Sequence, residues 1–123
     1  MAHKIDYKKL QLPEPYEIGL MRGDDRDFVW DVYDGTGVAV AITGATITFT
    51  VKTAVDGTSV FAKTVGSGIT ISSDPTNRMT VAVDPSDTSS QDPGEYRYDV
   101  QLVLSGYTVT VAHGRFIIAG EVS

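Results

Sequence analysis

Branching at Cβ is the property that most restricts what this chain can become. It holds 15 Val, 8 Ile and 14 Thr against 5 Leu and 4 Glu. A branched side chain loses rotamer freedom on a helix and packs well on a pleated surface. Leu and Glu, two of the favoured helix formers, are scarce. Twelve Gly and five Pro punctuate the chain often enough to forbid long helices. An all-β fold is expected.

The order of the residues agrees with their types. Ile47, Phe49 and Val51 alternate with Thr46, Thr48, Thr50 and Lys52, the period of a strand with one buried face. Shorter alternations run through Tyr16, Ile18 and Leu20, through Phe28, Trp30 and Val32, and through Met79, Val81 and Val83. The longest places Tyr96, Tyr98, Val100, Leu102 and Leu104 on one face, and Phe116 and Ile118 point inward near the end. Turn signals lie between the runs: Asp34-Gly35, Asp56-Gly57, Asp74-Pro75, Pro93-Gly94 and Ser105-Gly106. Asp84-Pro85-Ser86-Asp87 joins an N-cap to a proline at the first helical position and predicts one helical turn.

Seven to eight short strands with one apolar face each predict a two-sheet antiparallel sandwich, which buries both apolar faces at once. A small closed barrel is the alternative. The first fifteen residues read differently. Their polarity is mixed, and Leu12-Pro13-Glu14-Pro15 is a stiff extended spacer. Residues 1–15 are therefore expected as an N-terminal arm and residues 16–123 as the folded domain.

Charge is divided along the same line. Residues 1–10 carry Lys4, Lys8 and Lys9 against Asp6, a balance of +2, whereas residues 23–123 carry 6 basic and 13 acidic side chains, a balance of −7. An acidic body repels phosphate backbones, so no nucleic-acid partner is expected. No apolar run is long enough for a membrane helix, and Met1 to Leu10 lacks the apolar stretch of a secretory signal. The chain has no Cys, which removes disulfides, thiol catalysis and cysteine metal sites together.

Catalytic patterns are missing as well. His3 and His113 have no second ligand at metal spacing, and neither a nucleophile elbow nor a phosphate loop occurs. Ser67 sits in Gly66-Ser67-Gly68, a flexible turn. Asp24, Asp25 and Asp27 cluster, but Arg22 and Arg26 oppose a cation there, and a turn with internal ion pairs is the expected outcome. No enzyme activity, metal or cofactor is expected.

Pro93-Gly94-Glu95-Tyr96-Arg97-Tyr98-Asp99-Val100 is similar to the corner of an immunoglobulin-type sandwich, where a tyrosine bonds back across the preceding turn. Tyr96 is the first candidate for that role and Tyr98 the second. Together with Ile18-Gly19-Leu20-Met21-Arg22-Gly23-Asp24, the run Ile42 to Lys52 and the closing Gly114-Arg115-Phe116, it resembles the small immunoglobulin-like β-sandwich structural proteins of tailed bacteriophages. The N-terminal domain of lactococcal phage upper baseplate proteins is the best-described relative. The resemblance covers roughly residues 16–122 and implies a virion component, assembled in the host cytoplasm, without an active site.

The expected function is assembly. The arm would lie on a neighbouring subunit through Lys4, Lys8, Lys9, Leu10, Leu12 and Tyr16, and strand edges would add pairing contacts. The partners would be other virion proteins or further copies of this chain. The alternative is recognition of a host surface or glycan through exposed aromatics, with Tyr33 and Tyr107 as candidates and Trp30 expected in the core.

Overall fold

The computed structural model describes residues 3–6, 15–54 and 57–120. They form nine strands and one helical turn: β1 (His3–Asp6), β2 (Ile18–Met21), β3 (Arg26–Tyr33), β4 (Thr46–Lys52), β5 (Ser59–Val65), β6 (Gly68–Ile71), β7 (Arg78–Val83), α1 (Pro85–Thr88), β8 (Gly94–Leu104) and β9 (Tyr107–Ala119). The all-β expectation holds.

The strand pairing does not divide into two separate sheets. Pairing runs through one nine-stranded sheet in the order β1-β3-β7-β6-β5-β4-β8-β9-β2, curled into a nearly closed barrel. What joins its halves is a short parallel link between β5 and β6, Thr64 opposite Gly68 and Val65 opposite Ile69. Alternation specifies which face of a strand is buried but not which edge meets which, so this link left no mark in the pattern. The remaining pairs are antiparallel except β1 with β3 and β2 with β9.

The inward faces meet in a single core. Trp30, Phe49, Tyr98 and Phe116 are buried there with Ile47, Val51, Val81, Val100 and Leu102. Ring centroids lie 5.7 Å apart for Phe49 and Tyr98, 6.2 Å for Trp30 and Phe49, and 6.2 Å for Phe49 and Phe116, within the range of favourable tilted and edge contacts. Strand β9 changes phase to reach this core. Val100 pairs with Ala112 but Gln101 with Thr110, so Val111 is an extra, bulged residue. Inward positions are odd-numbered before the bulge and even-numbered after it, which carries one strand through Gly114 without a break.

Part of the expected arm belongs to the sheet. Residues 3–6 pair in parallel with Trp30 to Tyr33, and Ile5 is 6% exposed within the core cluster. Lys4 stands opposite Asp31 in that register. A single apolar residue in a mixed-polarity stretch is too weak a pattern to mark a strand, and a parallel edge pairing has no turn beside it to signal it.

The helical turn forms where expected. The Asp84 amide donates to the Asp87 carboxylate at 2.8 Å, and the Lys63 ammonium reaches Asp87 from β5 at 2.7 Å. Thr88 is fully buried, and its hydroxyl accepts the Gly23 amide at 2.9 Å, which ties the turn after β2 to α1. Residues 22–25 thus form a structural turn before β3 begins at Arg26: the Asp24 amide donates to the Met21 carbonyl and the Arg22 guanidinium to the Gln91 carbonyl.

The two corner tyrosines hold different elements. The Tyr96 hydroxyl donates to the Asp92 carbonyl at 2.7 Å, four residues back across the Pro93-Gly94 corner. The Tyr98 hydroxyl donates to the Tyr16 carbonyl at 2.6 Å and fastens the lead into β2. Burial raises the Tyr98 phenol above its ordinary value of 10.0, because a phenolate there would be poorly solvated. In the unfolded chain Tyr98 ionises near that ordinary value. Its contribution to stability is therefore complete below about pH 10 and is lost as pH rises through the folded value. Urea unfolding between pH 8 and pH 11 should show the wild type losing stability more steeply than Tyr98→Phe; equal slopes would contradict this role.

Candidate partner-binding surface

Among the described residues, the strand order leaves a gap between β2 and β3. Strands β2 and β3 are joined by the four residues 22–25 and run in opposite directions, yet β2 ends the strand order while β3 lies beside β1 at the other end, and the two do not pair. Strand β1 covers β3 only from Trp30 to Tyr33. The edge of β3 from Arg26 to Val29 therefore faces the outer edge of β2 across a seam.

Backbone geometry shows what that seam offers. The Val32 amide donates to the Asn77 carbonyl at 2.9 Å, continuing the β3–β7 register, so even-numbered residues of β3 bond toward β7. By the alternation of an antiparallel ladder, the odd-numbered residues of β3 point to its other edge, where Val29 and Asp31 flank the pairing of β1 at His3 and the main chain of Asp27 points into the seam. On the other bank, the Arg22 amide donates to Ala119 and the Tyr16 amide to His113, so even-numbered residues of β2 bond toward β9. Glu17 and Gly19 then direct their backbone groups into the same seam. Among the described residues, no strand pairs with β3 at Asp27 or with β2 at Glu17 and Gly19 on this side.

A cavity of about 610 Å³ lies between the two banks. Ile18, Leu20, Phe28 and Trp30 form its floor, and Tyr16, Glu17, Met21, Arg26 and Asp27 its rim. Trp30 is 1% exposed, and its indole N–H meets no acceptor among the described residues. A buried donor without a partner costs about 1–3 kcal/mol. From Glu17 to Asp27 the chain bears four carboxylates (Glu17, Asp24, Asp25, Asp27) against Arg22 and Arg26. Glu17 is matched by Arg115 at 2.7 Å, and Arg26 lies over the Phe28 ring at 5.7 Å.

The residues expected to bind a partner fall unevenly on this geometry. Tyr16, 40% exposed, is on the rim. Lys4 belongs to β1, in the same strand track as the seam. Lys8, Lys9, Leu10 and Leu12 lie outside the described residues. Tyr107 is exposed on the β8–β9 hairpin, and Trp30, as expected, is core. The seam itself was illegible in the sequence, since Asp27 matters there through its main chain and not its side chain.

Two further depressions are present. One of about 640 Å³ lies between Thr43-Gly44 and β6, lined by Val65, Ile69 and Ile71. The other, about 130 Å³, holds the cross-strand pair Asp99 and His113 beside Lys52 and Arg97. Among the described residues, no group of three His, Asp or Glu is arranged to hold a metal, and no helix is long and apolar enough to cross a membrane.

Comparison with known proteins finds the same architecture elsewhere. The N-terminal domain of phage TP901-1 ORF48 superposes with a TM-score of 0.56 at 10% sequence identity, over 96% of this chain and 98% of that one. The chain shares that domain's fold. The match takes in nearly the whole of both chains, so it describes the complete barrel and not one shared hairpin. No family model matches the sequence, and no curated protein does.

Proposed function

We propose that this protein is a non-enzymatic structural and assembly component of a bacteriophage virion, on the tail, the baseplate or the capsid exterior. It docks on neighbouring subunits through its N-terminal segment and its free strand edges. The observation that carries this reading is the likeness in fold, over nearly the full length, to a domain of a phage protein. A sheet that, among the described residues, leaves strand edges unpaired supports it, because such an edge accepts a strand from another chain. The finer architecture is proposed to be immunoglobulin-like. Strands β3, β7 and β6 would form one layer and β5, β4, β8, β9 and β2 the other, with the two-residue β5–β6 link as a corner between them.

Particles test the reading directly. Purified virions of a phage carrying this gene should contain the chain by mass spectrometry. The charge reversal Lys8→Glu with Lys9→Glu should reduce its incorporation at least ~tenfold, equivalent to about 1.4 kcal/mol of docking energy, while leaving the circular dichroism spectrum unchanged. Virions that lack the wild-type chain would refute the assignment.

A further inference from the structure

We draw no further inference here: the strongest candidate, the depression of about 640 Å³ between Thr43-Gly44 and β6 that is lined by Val65, Ile69 and Ile71, is an apolar surface patch, and nothing in the structure shows what covers it.

Discussion

Replacing Phe49 by Ala is expected to cost about 3–5 kcal/mol, the range for removing a large aromatic ring from a core that cannot collapse around the gap. Phe49 is completely buried on β4. Its ring lies 5.7 Å from Tyr98, 6.2 Å from Trp30, 6.2 Å from Phe61 and 6.2 Å from Phe116, centroid to centroid. These neighbours come from β3, β5, β8 and β9. Because they are fixed in four different strands, the barrel cannot close over the cavity by moving one element. A domain of this size has about 5–15 kcal/mol of total stability, so the variant should sit near its unfolding transition at room temperature. Urea unfolding followed by Trp30 emission measures the loss. Phe61→Ala, at a half-buried position on the β5 side of the cluster, should cost clearly less. A Phe49→Ala cost below about 1 kcal/mol would mean that the ring cluster is not the centre of the core.

Gly114→Val is the second large effect, and it acts through the backbone. Gly114 has φ of 154°, within the range that side chains disfavour. A Cβ at this position would run into the main chain of Tyr16. That main chain cannot move aside cheaply, because the Tyr16 amide donates to His113 at 2.9 Å and the Tyr16 carbonyl accepts the Tyr98 hydroxyl at 2.6 Å. Relief requires peeling the lead of β2 from β9. The expected cost is about 3 kcal/mol or more, combining backbone strain with overpacking. Amide exchange should quicken across Ile18–Met21 well before it does in β4. Gly35→Ala is the control, since a Cβ there meets nothing within 4 Å, and it should be close to neutral. If Gly114→Val melts like the wild type, the approach of β2 to β9 is looser than described.

Both positions bear on how much could be read in advance. Phe49 was legible: it sits in the middle of Ile47, Phe49, Val51, an alternation that places it inside whatever the neighbouring strands are. The α1 turn was legible for the same local reason, since Asp84, Pro85 and Asp87 carry a capping pattern within four residues. Gly114 gave no such signal: it is the point where one continuous strand admits a neighbour's backbone, and that strand changes phase at the bulge at Val111. Thr88 gave no signal, because its acceptor role depends on Gly23, 65 residues away.

The residues alone settled that this chain makes strands, which side of most of them is dry, and that its first ten residues oppose the rest in charge. These are consequences of branching, alternation and composition, each expressed within a few positions of itself. Tertiary structure decided how the edges meet: that β5 and β6 join the halves into one sheet, that β1 turns part of the arm into a strand, and that β2 and β3 stay apart. Edge pairing is made by main-chain groups that every residue carries, so side-chain pattern holds little record of it, and the gap between β2 and β3 among the described residues appears only when all nine strands are in place.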